Sequence, residues 1–165
     1  MEVRELDLGD LERVQDMLTA IFSREPWNDH WEDREQLRRY VLELMGAPNS
    51  LSLGLFSGNA LIGLSLGRVK HWWEGTEYWI DEFGLLPEHQ GKGAGTCFLT
   101  MMGHYLREQQ VVAMVLLTDR QTSAYHFYQK NRFAEQKAQA VSCQTAYALI
   151  HKRSGGTVRS RRSAC

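Results

Sequence analysis

The sequence predicts a mixed α/β (α+β) fold. A six- to seven-stranded sheet, an antiparallel meander passing into a β-α-β crossover, is flanked by about four helices. Three observations lead there. Apolar residues recur at helical spacing in 10–22, 32–45 and 94–109. Two apolar runs, 51–57 and 60–69, are separated only by Ser57-Gly58-Asn59, a hairpin signal. A further continuous apolar run, Val111 to Thr118, directly follows a helix, as the buried returning strand of a crossover does.

In order along the chain, Val3 and Leu6 set among charges give a first strand at 2–6. Leu11, Val14, Leu18, Ile21 and Phe22 then share one helical face, and Leu37, Val41, Leu44 and Met45 share another. Pro48-Asn49 breaks the chain before the hairpin. Residues 77–86 form a strand that ends in a glycine-rich loop, and the helix after it turns Phe98, Leu99, Met102, Tyr105 and Leu106 inward. Ser123 to Lys130 reads as a short helix, and 141–150 alternate like a closing strand. One domain is expected over 1–151, followed by a basic tail at 152–165.

Composition sets bounds on function. The chain has 165 residues, 43% apolar and 24% charged, as ordinary soluble domains do. No run approaches the ~18 apolar residues of a membrane span, and Met1-Glu2-Val3-Arg4-Glu5 does not resemble a signal peptide, so a cytoplasmic location is expected. Cys97, Cys143 and Cys165 read as free thiols, and the six histidines lack metal-ligand spacing, so no metal is expected. The net charge of −1 hides an asymmetry, because Lys152, Arg153, Arg159, Arg161 and Arg162 crowd the last fourteen residues without an acid. That tail reads as solvated and disordered rather than as a nucleic-acid contact, since no basic surface on the body supports the latter.

The loop Gln90-Gly91-Lys92-Gly93-Ala94-Gly95-Thr96 carries the most chemistry. Three glycines in five residues permit positive φ and a close ligand approach. The helix behind them offers unpaired N–H groups and a positive dipole end. Together they suit a pyrophosphate. The loop follows the fourth strand and lacks Gly-x-Gly-x-x-Gly spacing, which excludes a dinucleotide fingerprint, and it lacks the Walker pattern.

Gln90-Gly91-Lys92-Gly93-Ala94-Gly95 resembles the Gln/Arg-x-x-Gly-x-Gly/Ala signature of the GNAT N-acetyltransferases, and Leu85-Leu86-Pro87 resembles that family's strand end. Tyr125-His126-Phe127-Tyr128-Gln129-Lys130-Asn131-Arg132-Phe133, about 35 residues on, resembles its second motif, Phe-Tyr-x-x-x-Gly-Phe. The resemblance covers roughly 2–150. It implies the GNAT fold, acetyl-CoA as cofactor, and direct attack by an amine in a ternary complex. It implies that Gly84, Leu85 and Leu86 hold the pantetheine arm, that residues 90–96 hold the pyrophosphate, and that Tyr125 lies beside the cofactor. It also implies Tyr128 as the acid that protonates the departing thiolate, favoured over the alternative of a core aromatic beside Phe127 because the motif match fixes its place. Arg132 stands where the family has Gly. Asn131 tolerates positive φ too, so the turn is expected to shift by one residue. Many relatives pair as dimers, which leaves a homodimer open here.

The acceptor side is read from charge. Glu74, Glu77, Asp81, Glu82 and Glu88 fall in one stretch without Lys or Arg, and Glu25, Asp29, Glu32, Asp33 and Glu35 fall in another with only Arg34. Trp27, Trp31, Trp72, Trp73 and Trp79 all lie in or beside these segments. Carboxylates with aromatic walls suit a cationic amine, although exposed loops also carry acids and tryptophans also fill cores. Trp72-Trp73-Glu74 followed by Ile80-Asp81-Glu82 resembles the aminoglycoside 6′-N-acetyltransferases. That resemblance implies Asp81 as base or amine anchor, while the acid and tryptophan pattern marks Trp27, Trp31, Trp72, Trp73 and Glu74 as acceptor contacts. Glu82 is second choice, since strand alternation turns it away unless a bulge intervenes. His71 and His89 are weaker candidates. Acetylation of a protein N-terminus or lysine, or a silent acyl-CoA-binding sensor, remain the other readings.

Overall fold

Five strands and four helices form along residues 1–136, the part of the chain that the computed structural model describes. They are β1 (Glu2–Glu5), α1 (Leu11–Phe22), α2 (Arg34–Met45), β2 (Ser50–Ser57), β3 (Ala60–Trp72), β4 (Gly75–Leu85), α3 (Ala94–Glu108), β5 (Val111–Leu116) and α4 (Ser123–Lys130). The chain divides into two compact units, Met1–Leu116 and a second that begins at Leu117. The expected closing strand at 141–150, the domain boundary at 151 and the basic tail lie outside the described residues. No helix among the described residues is long and apolar enough to cross a membrane.

Side-chain caps precede the first two helices. Before α1 the Asp7 side chain accepts from the Gly9 N–H at 2.7 Å, and Asp10 accepts from the Asp7 N–H, a reciprocal capping box. Asp33 accepts from the N–H groups of Glu35 and Gln36 at the start of α2, a cap that contributes about 1 kcal/mol. The Asp33 carboxylate is therefore a helix cap and not part of an acceptor pocket.

The strands lie in the order β1-β2-β3-β4-β5, antiparallel throughout except for the parallel β4–β5 pair that α3 connects. A two-residue turn at Gly58-Asn59 closes the β2–β3 hairpin, with Ser57 opposite Ala60. The sheet has an apolar layer on each face. On one, Val14, Leu18, Ile21 and Phe22 of α1 and Leu37 and Val41 of α2 pack on Leu64 and Leu66. On the other, Phe98, Met102 and Leu106 of α3 pack on Leu53, Leu55, Ile62, Tyr78 and Ile80. Tyr78 is fully buried, its hydroxyl donates to the Leu51 carbonyl at 3.0 Å, and burial pushes its phenol well above the ordinary value.

One expected strand differs in burial. The apolar run at Val111 was expected to be buried along its length, but only Val111 is, and Val112 is 69% exposed. Among the described residues β5 stands last in the sheet order, with β4 as its partner, so there the apolar run is less buried than its unbroken pattern predicts.

Candidate active site

The register between β3 and β4 slips at one point. Leu66 pairs with Glu82 and Gly67 with Ile80, so Asp81 is an extra residue in β4. Gly67 permits this. A Cβ there would fall 2.2 Å from the Trp79 carbonyl oxygen, so only glycine allows the strands to approach this closely.

The bulge brings both carboxylates to one face. Residues paired in register share a face, so Glu82 sits on that of Leu66, against α1 and α2. Arg68, two residues along β3 on that same face, reaches Asp81 with N···O at 3.1 Å. The Tyr40 hydroxyl of α2 donates to Glu82 Oε1 at 2.6 Å, and Tyr40 stacks on Trp31 at 5.3 Å between ring centres. Glu82 is buried, and the Asp81 side chain is 19% exposed. Burial raises the Asp81 carboxyl above its ordinary value, while Arg68 and then Lys70 oppose the rise.

Arg68, Lys70 and Tyr40 escaped the sequence reading. The acidic run of β4 has no base of its own, but β3 supplies two across the ladder. Lys70 pairs in register with Glu77 and lies over the Trp79 ring at 3.5 Å, and Trp79 Nε1 donates to Glu77 at 2.7 Å. Hairpin register could have shown this, since β3 and β4 meet in a tight turn. Tyr40 carries no local signal.

The cofactor-side residues gather at the far end of β4. Pairing with β5 ends at Ile80 and Leu116, whereas β4 runs on to Leu85. Gly84 is buried beneath Ile21 of α1, and the Leu86 N–H bonds back to Ile62. Gln90 Nε2 donates to the Leu85 carbonyl at 2.8 Å, and Lys92 Nζ to the Glu88 carbonyl at 2.9 Å, so both side chains brace the loop. Gly91 and Gly93 have φ of +71° and +83°, and no atom lies within 4 Å of where either Cβ would stand. Gly93 is the N-cap of α3 and no side chain caps it, so the first N–H groups of the helix, at Ala94, Gly95 and Thr96, belong to an open, cation-like end. An anion the size of a pyrophosphate fits these donors.

The remaining candidates are placed less uniformly. Trp27 packs edge-on against Phe22, and with Trp31 joins the apolar layer of α1 and α2. Trp72 and Trp73 are 55% and 81% exposed, and Glu74 is exposed at the tip of the β3–β4 hairpin, away from the bulge along the strands. His71 Nδ1 lies 3.2 Å from Thr76 Oγ1 across that hairpin, and His89 ends the turn before the loop. The sequence reading thus grouped residues that the structure separates: Asp81, Glu82 and Trp31 come together, Trp72, Trp73 and Glu74 do not join them.

Tyr125 and Tyr128 belong to α4, in the second unit. Tyr125 accepts a hydrogen bond from Gln129 at 2.9 Å, and the Tyr128 ring meets Phe127 and Phe133 edge-on. The helix ends in a Schellman turn: the Phe133 N–H bonds to Tyr128 and the Arg132 N–H to Gln129. The expected shift to Asn131 does not occur. Arg132 itself takes φ +66°, Asn131 keeps φ −93°, and the Asn131 side chain donates to the Phe127 carbonyl instead. The Tyr128–Phe133 contact fixes this register, because it joins the two positions a Schellman turn brings together.

The fold thus combines an antiparallel meander, a parallel β4–β5 pair crossed by α3, and a glycine loop at the head of α3. Residues 11–133 match the Acetyltransferase (GNAT) family. The chain belongs to this family, whose enzymes use acetyl-CoA. Solved structures agree in fold. A possible acetyltransferase from Clostridium difficile 630 aligns with TM-score 0.70 at 16% identity, over 91% of this chain and 98% of its own. An aminoglycoside acetyltransferase from an uncultured soil metagenomic sample, in complex with sisomicin, aligns at 0.66 and 19%, over 87% and 94%. AAC(6′)-Iy in complex with a CoA bisubstrate analogue aligns at 0.65 and 13%, over 87% and 97%. No curated protein sequence matches the chain.

Proposed function

We propose that the chain transfers the acetyl group of acetyl-CoA to a primary amine of a small cationic acceptor, of the aminoglycoside class. The observation that carries this reading is the bulge that sets Asp81 and Glu82 on one face beside Tyr40 and Trp31. The family and two aminoglycoside-acetylating fold neighbours support it.

Bound acetyl-CoA supplies an activated acetyl thioester. The protein binds and orients it. The N–H groups at the head of α3 and the open backbone of Gly91 and Gly93 hold the pyrophosphate, and the β4 backbone at Gly84, Leu85 and Leu86 holds the pantetheine arm.

The acceptor arrives as an ammonium and must lose a proton before it can attack. Asp81 Oδ takes that proton. Its raised pKa brings it closer to working pH than an ordinary carboxylate, which makes it the better base. Glu82, held by Tyr40, is the second anionic anchor, and Trp31 walls that side. Tyr128 would donate a proton to the leaving thiolate, a role carried by its match to the family's second motif.

The test is acetyl-CoA-dependent thiol release against aminoglycosides, linear polyamines and peptides. Turnover with aminoglycosides is expected. Turnover with peptides alone would assign a protein-acetylating enzyme, and tight CoA binding without turnover a sensor.

A further inference from the structure

Among the described residues one ion pair engages the proposed base, and it has no place in that mechanism. Arg68 reaches Asp81 at 3.1 Å, yet 46% of its side chain is exposed, against 19% for Asp81. An ammonium approaching Asp81 meets a carboxylate that already has a cation.

We propose that Arg68 is a positioning and specificity residue of the acceptor site, which holds the Asp81 carboxylate in place until the acceptor's ammonium displaces it. This rests on the reading of Asp81 as the base.

The geometry carries the exchange. Arg68 and Asp81 are not register partners. The bulge moves Asp81 diagonally to Arg68, whose own partner across the ladder is Trp79. The guanidinium therefore reaches along the sheet face to its carboxylate, and its exposed part can leave for water without opening the core. The guanidinium stays half in water, which weakens the pair relative to a fully buried one, so an ammonium desolvated against Asp81 can win the exchange.

The groups around Asp81 give the exchange a direction. From β3, Arg68 and Lys70 face it. From β4, Glu82 is adjacent, Glu77 binds Trp79 on the Lys70 side, and Tyr78 senses the Asp81 charge. From α2, Tyr40 engages Glu82. Positive charge thus lies on the β3 side and the Glu82 carboxylate on the α2 side. An acceptor presents its reacting ammonium to Asp81 and keeps its other cations toward Glu82, away from Lys70. Cations spread in all directions are disfavoured by Arg68.

The experiment compares wild type, Arg68→Gln, Arg68→Lys and Asp81→Asn, with kanamycin as the polycationic probe and a monoamine as control. Arg68→Gln should lower KM for kanamycin about two- to fivefold, the scale of one half-exposed charge pair, and leave the monoamine less affected. It should lower kcat, because the Asp81 carboxylate loses the group that holds it in place, and move the acid limb of kcat/KM to higher pH, because Arg68 favours the ionised carboxylate. Arg68→Lys should return both to near the wild-type values. An unchanged or raised KM, or an unmoved limb, overturns the proposal.

Two readouts separate this failure from failure of the base assignment. If Asp81→Asn keeps the acid limb, Asp81 is not the base. If Asp81→Asn abolishes the limb while Arg68→Gln changes nothing, only the role of Arg68 falls. Independently of turnover, an NMR titration of the Asp81 carboxyl should move upward in Arg68→Gln, and an identical titration in the two proteins contradicts the proposal.

Discussion

Gly67 and Trp79 stand so close that a Cβ on the first would lie 2.2 Å from the carbonyl oxygen of the second. The contact lies beside the register slip that leaves Asp81 unpaired and turns Glu82 onto the face of α2. One missing methyl group thus determines which carboxylates share the α2 face of the sheet.

Gly67→Ala should therefore damage both stability and site. Relief of the clash requires the two strands to part or the bulge to migrate. Overpacking of this kind costs ~1–3 kcal/mol, and a migrated bulge returns Asp81 and Glu82 to opposite faces. Chemical denaturation should show the loss, and acetyl transfer should fall at temperatures where the variant remains folded. Wild-type stability and turnover would mean that the bulge is not held by Gly67.

Gly93→Asp tests the anion site. Gly93 caps α3 at φ +83° in open space. A carboxylate there faces the same N–H groups as the pyrophosphate and opposes its charge. Loss of ~1.4 kcal/mol of helix-terminus attraction corresponds to about tenfold weaker CoA binding by calorimetry. Unchanged affinity would place the cofactor elsewhere.

Arg132→Gly should stabilise α4. Arg132 holds φ +66° in the Schellman turn. A left-handed non-glycine residue costs ~1–2 kcal/mol, while the added chain entropy of glycine costs ~0.4–1 kcal/mol. The first effect wins by about 0.5–1 kcal/mol. Hydrogen exchange of the α4 amides should slow about two- to fivefold, and faster exchange would contradict the turn geometry.

Much of the fold was legible in the sequence because periodicity is local. The buried faces of α1, α2 and α3 and the hairpin turn at Gly58-Asn59 follow directly from spacing. The site was half legible. Asp81 and the glycine loop stand in short motifs that the chain itself spells out. The pairing of Asp81 with Arg68 and of Glu82 with Tyr40 depends on partners 13 and 42 residues away in sequence, which only the register and the α2 packing bring near. The acidic cluster misled in part, because Asp33 is a helix cap, and its cap position before an amphipathic run was a readable signal. Arg132 misled for a related reason, since the preference of Asn for positive φ is weak beside the Tyr128–Phe133 contact that fixes the turn.

The central claim is that Asp81 accepts the amine proton, and the kcat/KM–pH profile of wild type against Asp81→Asn tests it most directly. Activity requires the ionised carboxylate. Burial raises its pKa, so the acid limb should lie at higher pH than an ordinary carboxylate gives. Asp81→Asn should lower kcat/KM about 100-fold or more and lose that limb, with CoA affinity retained. A variant that keeps both its rate and its acid limb would contradict the account.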